Sequence, residues 1–240
     1  MTTLKLLKDY KEEDDLLEHH VKKLFDGKTQ LNILEAGCGQ HWPLKLGKIK
    51  FRLTGVDLDK EALAYRVNVS RDLDEAIVAD LRIVDLGTRK FDVIYNAFVL
   101  EHVENAALVL ENFSRWLNPG GLVILKLPDR DSVFGFLTNL TPFWFHVIYH
   151  KYVLGRENSG KPGFGPYPTH YDKIVSRKGI REFCDAHRFI IKEERGLGSY
   201  VIESGMRALL IRSIAITVGT LSLGKLPWRH NNLTYVLEKI

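Results

Sequence analysis

Short apolar runs alternate with helix-patterned segments through the first half of this chain. The runs are Leu31 to Ala36, Phe51 to Asp57, Ile77 to Ala79, Phe91 to Asn96 and Leu122 to Leu127. Leu16, Leu17, His20, Val21, Leu24 and Phe25 recur at helical spacing, and so do Ala106, Leu110, Phe113 and Leu117. Strands that alternate with helices pair in parallel, because only a helical crossover returns the chain in the same direction. Right-handed crossovers then build a doubly wound α/β layer. The first helix is expected over about residues 12–26, with Gly27 as its stop.

The second half breaks this rhythm. Asp129 to Asp172 is rich in aromatic residues, and its GKPGFGPYP stretch disrupts regular structure. Ile180, Phe183, Cys184 and His187 mark one face of a further helix. Phe189 to Glu194 and Leu233 to Leu237 read as closing strands, which makes seven in all. Residues 129–175 and 196–230 are read as insertions that form a cap within a single domain, residues 1–240. A chain of 240 residues is long enough to bury a core without staples. Its 45% hydrophobic and 27% charged composition excludes a disordered or fibrous chain. Two cysteines, Cys38 and Cys184, cannot make a disulfide framework and suit a reducing, cytoplasmic setting. No long apolar core follows the N-terminal lysines, so a cleaved signal peptide is not expected.

The strongest chemical signal is ILEAGCGQH, Ile33 to His41. A buried strand ends in Glu35, then Gly37-Cys38-Gly39. Glycines at a strand's C-terminal end let the backbone turn sharply and let a ligand approach without meeting a Cβ. Ligands of doubly wound sheets bind outside those strand ends. On its own the loop also reads as an ordinary strand-to-helix turn. Asp57 strengthens the ligand reading: it ends the next strand roughly 20 residues on, where an acidic side chain can accept both hydroxyls of a ribose. A dinucleotide site fits less well, because the third glycine of G-x-G-x-x-G is missing and Glu35 would repel a pyrophosphate.

These residues resemble the class I S-adenosylmethionine-dependent methyltransferases, in particular the small-molecule branch related to ubiquinone-biosynthesis methyltransferases. The resemblance covers about residues 30–128 and rests on five matches in order. They are Glu35 to Gly39, Asp57, Ala79-Asp80-Leu81, Phe91 to Asn96 with Leu100-Glu101-His102-Val103, and Leu117 to Gly121. His41 departs from it, standing where many members carry a third glycine. The resemblance implies a Rossmann-like methyltransferase fold, with S-adenosyl-L-methionine as cofactor and S-adenosyl-L-homocysteine as product. It implies a cofactor site formed by Glu35, Gly37, Cys38, Gly39, Asp57, Leu58, Asp80, Leu81 and Asn96. Asp57 would hold the ribose and Asp80 the adenine amino group. Glu35 would orient the loop through backbone N–H groups.

The cofactor's methyl group is already activated, so the protein's main task is to position a nucleophile, with a general base where that nucleophile is a hydroxyl. His102, His170 and Tyr171 are the candidate catalytic residues. No metal is expected, because Phe98 stands where some relatives carry the first Glu of Glu-x-x-Glu-His. His146 and His150 sit at helical spacing, but read as core or pocket lining rather than zinc ligands. The signatures of base- and glutamine-directed amino-methylation and of pyrimidine C5 chemistry are absent: Asn96-Ala97-Phe98-Val99 follows the fourth strand, and neither cysteine is placed as a nucleophile.

Charge bears on the partner. Residues 151–181 carry seven basic and two acidic side chains, and residues 205–230 carry four basic and no acidic ones. Besides a solvated basic face, this suits an anionic substrate or an anionic membrane surface. A net charge of +4 with no appended RNA-binding module does not suit a nucleic-acid partner. Ala208 to Leu223 is apolar but too short to span a bilayer, leaving a buried helix or a peripheral interfacial segment. The expected activity is O-methylation of a small or lipid-like molecule. N-methylation of an amine, protein or RNA is the alternative within enzymology, and cofactor binding without turnover is the alternative outside it.

Overall fold

A computed structural model describes residues 4–153, 155, 157–161, 165–170, 172–199 and 205–240. The strands are β1 (Lys5–Leu7), β2 (Leu31–Ala36), β3 (Phe51–Asp57), β4 (Glu75–Val78), β5 (Phe91–Ala97), β6 (Leu117–Pro128), β7 (Phe189–Leu197) and β8 (Asn232–Lys239). They form one sheet in the order β1-β7-β8-β6-β5-β2-β3-β4. β8 runs antiparallel to both its neighbours, and every other pairing is parallel. Eight strands are present rather than seven. The additional one, β1, is three residues long and pairs Leu6 with Gly196 at the sheet edge. A run that short has no readable periodicity, and a strand 190 residues away in sequence fixes its conformation.

The helices α1 (Tyr10–Phe25), α2 (Lys60–Tyr65), α3 (Ala106–Trp116), α4 (Val133–Leu140), α5 (Phe143–Ile148), α6 (Arg177–His187) and α7 (Met206–Leu221) fill the connections. Asp9 caps α1 by accepting the Glu12 N–H, and Gly27 follows its end at φ +80°. Strand alternation divides the apolar residues between two faces. Leu34, Ile94, Val123 and Leu125 pack with α3 and α6 through Leu110, Phe113, Ile180 and Phe183. Leu31, Ile33, Val93 and Ile124 pack against Leu17 and Val21 of α1. A buried ionic contact joins α1 to the sheet: Glu13 Oε2 pairs with Lys126 Nζ at 2.6 Å, and Glu13 Oε1 accepts from the Thr234 hydroxyl. α4 and α7 pack on each other around a small separate cluster, Val133 and Ala215 with Leu137, Ile211, Val218, Leu226 and Trp228 partly buried about them. Among the described residues, no helix is long and apolar enough to cross a membrane.

Candidate active site

The chain runs from β2 through β3 to β4 on one side of β2, then returns so that β5 lies on the other. This reversal opens a crevice outside the carboxyl ends of β2 and β5, the place where doubly wound sheets bind ligands. The Gly37–Gly39 loop leaves β2 there, and Phe98 to His102 leave β5. Gly37 has φ +75°, and a Cβ at this position would lie 2.3 Å from Val99 Cγ2. The two loops therefore meet where only glycine fits. Gly39 has φ +52° and open space in its Cβ direction, so its backbone is approachable.

The Gly39 N–H donates to Asp57 Oδ2 and the Asp59 N–H to Asp57 Oδ1, both at 2.8 Å. The carboxylate at the end of β3 is thus fixed from both sides and retains lone pairs on each oxygen. Leu58 beside it is 71% exposed. Asn96, buried at the end of β5, donates Nδ2–H to Ala36 O at 2.8 Å, and its Oδ1 is buried without a partner. A buried acceptor of this kind normally has a donor. Together with the open face of Gly39, it fits a ligand carrying an ammonium group and a ribose.

Glu35 does not meet backbone N–H groups as the resemblance implied. Its carboxylate accepts from Arg66 Nη2 at 2.9 Å, and both side chains are buried. The same guanidinium donates Nη1–H to Cys38 O at 2.9 Å and Nε–H to Asp72 at 2.7 Å. Glu35 therefore orients the loop through Arg66, because a carboxylate buried in an apolar strand needs a fully charged donor more than a single amide. Burial pushes the Glu35 carboxyl up, to about 8, against the opposing pull of Arg66. The sequence reading passed over Arg66, although an acidic residue inside an apolar strand was a signal that a cation must be buried with it. Cys38 is also buried, and burial pushes its thiol up to about 12.

Asp80 is held below the ordinary carboxylate range by Arg82, whose Nη2 and Nε both donate to it, at 2.6 and 3.0 Å to Oδ2. Leu81 is buried, with its carbonyl accepting from Asn112. Asp80 and Leu81 follow β4, two strands from the crevice.

After β5 the helix does not open at His102. Leu100–His102 form a single 3₁₀ turn, and α3 begins at Ala106 after Asn105 at φ +61°. Residues 167–170 clasp this turn. His102 Nδ1 lies 2.8 Å from Pro168 O, and the His170 N–H donates to Glu101 O at 2.7 Å. The Tyr167 ring meets His102 edge to face at 5.7 Å. A carbonyl can only accept, so Nδ1 carries the proton and Nε2 presents a lone pair. Burial, with His170 nearby, holds His102 below its ordinary value and keeps the ring neutral near neutral pH. Glu101 has its carboxyl pushed up to about 8 by burial, and its Oε2 is buried without a hydrogen-bond partner. The structure thus brings His102 and His170 together. Tyr171, the third candidate, lies outside the described residues. His41 is exposed. Beyond Pro168, a cavity of about 160 Å³ is lined by Thr138, Thr141, Phe143 and His146. Among the described residues, no group of three or more His, Cys, Asp or Glu side chains is arranged to hold a metal ion.

Residues 10–187 match the model of the methyltransferase domain family. Ubiquinone biosynthesis O-methyltransferase of Rickettsia typhi is 26% identical over 194 residues, 75% of this chain and 70% of that protein. A probable S-adenosylmethionine-dependent methyltransferase of Mycolicibacterium smegmatis is 32% identical over 116 residues, but the match covers only 47% of this chain and 44% of that one. The crystal structure of magnesium protoporphyrin IX methyltransferase from Synechocystis PCC 6803 with bound SAH superimposes with a TM-score of 0.54 at 13% identity, covering 96% of this chain and 83% of that one. A crevice suited to a ribose and an ammonium group, on this fold and in a chain matched by that model over most of its length, leads to one conclusion: the chain belongs to the methyltransferase domain family and is an S-adenosylmethionine-dependent methyltransferase.

Proposed function

We propose that the protein O-methylates a small or lipid-like acceptor, with His102 as the general base. The observation that carries this reading is the tautomer of His102, fixed by Pro168 O, with a neutral ring whose Nε2 makes no hydrogen bond and lies 3.9 Å from the Glu101 carboxyl. A neutral imidazole whose lone pair is presented at the crevice can take the proton of a hydroxyl nucleophile. Tyr167 and the Pro168 backbone hold the ring in place.

Bound S-adenosylmethionine supplies a methyl group already activated on a sulfonium. Asp57 would take the ribose hydroxyls on its remaining lone pairs, and Leu58 would pack beside the adenine. Asn96 Oδ1 would accept from the amino-acid end, and Gly37, Cys38 and Gly39 would let that end reach the backbone. Glu35 acts one step back, through Arg66. Asp80 would reach the adenine amino group only if Arg82 swings away, which a side chain 37% exposed has room to do. Leu81 would line the adenine from the core side.

The acceptor would enter between the turn after β5 and a cap made of α4, α5 and α7, whose aromatic and basic residues suit an apolar, anionic molecule. Work in the cytoplasm belongs to the same proposal. The name of the Rickettsia typhi relative, a ubiquinone biosynthesis O-methyltransferase, supports O-methylation.

The test is transfer of labelled methyl to hydroxyl and amine acceptors. Transfer to phenolic or quinol hydroxyls, reduced about 10²- to 10⁴-fold in His102→Gln with cofactor affinity retained, supports the reading. Transfer to amines alone replaces it with N-methylation, and cofactor binding without any transfer replaces it with a binding protein.

A further inference from the structure

We infer that α4, α5 and α7 form a face that docks on an anionic lipid bilayer, with α7 lying in the interface. The evidence begins with the way α7 is packed. A helix on a water-soluble surface turns its large apolar side chains inward. α7 turns only Ile211 and Val218 partly inward. It packs Ala215 and Gly219 against α4 and Trp228, and a Cβ on Gly219 would already lie 3.0 Å from Trp228 Cδ1. Its large residues face out: Met206 is 87% exposed, and Leu209, Leu210 and Leu221 are 62%, 63% and 77% exposed. Trp144 of α5 is 62% exposed. Of the 28 exposed large hydrophobic side chains among the described residues, 16 lie in residues 134–167 and 206–223. Single exposed apolar residues need no explanation, but a concentration of this kind marks a covered surface.

The hydroxyls of the same helices are compatible with an apolar environment. Ser213, Thr217 and Thr220 each donate to the carbonyl four residues earlier in α7, at 2.8–2.9 Å, and Thr138 does the same in α4. These hydroxyls donate within their own helices and need no water to accept from them, as a group entering hydrocarbon must.

Charge selects the occupant. Lys151, Arg212, Lys225 and Arg229 lie on or beside these helices, and residues 132–151 and 205–230 contain no Asp or Glu. In a two-fold dimer built on this face the patch would meet itself, and like charges would oppose one another. An anionic bilayer complements it, cations to headgroups and leucines to the acyl boundary, with tryptophan at the interface. Sixteen residues make a helix about 24 Å long, so α7 lies along the membrane rather than through it. The face is continuous with the cavity at Thr138, Phe143 and Pro168, beside His102. Delivery of a lipid-borne acceptor by that route rests on the O-methylation reading, whereas the docking does not.

The test is flotation of the full chain with phosphatidylcholine vesicles, with and without phosphatidylglycerol. Recovery with the anionic vesicles at low salt, falling as salt screens the cations, is expected. Leu209→Glu/Leu210→Glu should lose recovery by about tenfold or more, since both side chains are exposed and the charges would enter the apolar boundary. Calorimetry of S-adenosylhomocysteine binding to the same variant should be unchanged, which shows that it is folded. Flotation needs no turnover, so a failed acceptor screen leaves this result standing, and a failed flotation leaves methyl transfer standing. Wild-type protein that stays in the soluble fraction at low salt overturns the inference. So does a double variant that floats like wild type. Light scattering that finds a wild-type dimer which the double variant abolishes gives the face to a second copy instead.

Discussion

Arg66 Nη2 lies 2.9 Å from Glu35 Oε2, and Arg66 Nη1 lies 2.9 Å from Cys38 O, so one buried guanidinium ties the last turn of the α2 segment to both the strand and the loop of the cofactor crevice. The pair is closed off from water, and removing Arg66 leaves Glu35 buried without its counter-charge, so it must take up a proton and lose its charge-assisted hydrogen bond. Arg66→Met should therefore destabilise the fold by about 3–5 kcal/mol. Urea denaturation measures this, and Arg66→Met/Glu35→Gln should recover a substantial part of the loss. Equal destabilisation in the single and double variants would show that the pair is not coupled.

The two glycines of the loop are constrained differently. Ala at position 37 meets both a left-handed backbone and Val99, whereas Ala at 39 meets only the backbone penalty of about 1–2 kcal/mol. Gly37→Ala should thus lower the melting temperature more than Gly39→Ala. Adding Val99→Ala should return the steric part of the Gly37→Ala loss but not the conformational part. Gly39→Ala should act chiefly on cofactor affinity.

Asp57→Ala should weaken cofactor binding by about 1.5–3 kcal/mol, the range for losing hydrogen bonds to a charged group. Because Asp57 also holds the Gly39 and Asp59 N–H groups, some of that loss comes from the loosened loop. Asp57→Asn separates the contributions: its one remaining oxygen can keep a single backbone contact. Calorimetry that finds the same affinity in wild type and Asp57→Ala would remove Asp57 from the ribose role.

Glu101 gives a pH signature. Burial raises its carboxyl from 4.5 to about 8, so the folded state favours the neutral acid. The resulting stability is fully present below pH 4.5 and is lost as pH rises through 8. Glu101→Gln carries no titration, so its stability should fall less than that of wild type across this window, by a few kcal/mol in total. Glu35 titrates over the same range, and comparing wild type with Glu101→Gln cancels its contribution. Parallel stability curves for the two proteins would show that Glu101 is ionised in the fold.

Much of the crevice was legible because its parts are local. Strand, glycines and carboxylate follow one another between Ile33 and Asp57, and the near-continuous apolar runs of β2, β5 and β6 mark strands buried on both faces of the sheet. Gly37 and Gly39 announce their left-handed turns by lacking a Cβ. What depends on distant partners could not be read this way. β1 exists by pairing with β7, and Glu35 finds its counter-charge 31 residues on, in Arg66. His102 becomes a neutral ring with a defined tautomer only where Pro168 folds over it, 66 residues later in the chain. The apolar run from Ala208 to Leu223 was plain in the sequence, but not which side of it would face out. The packing of Ala215 and Gly219 against α4 and Trp228 decided that, because small residues allow the closest approach and leave the leucines outside.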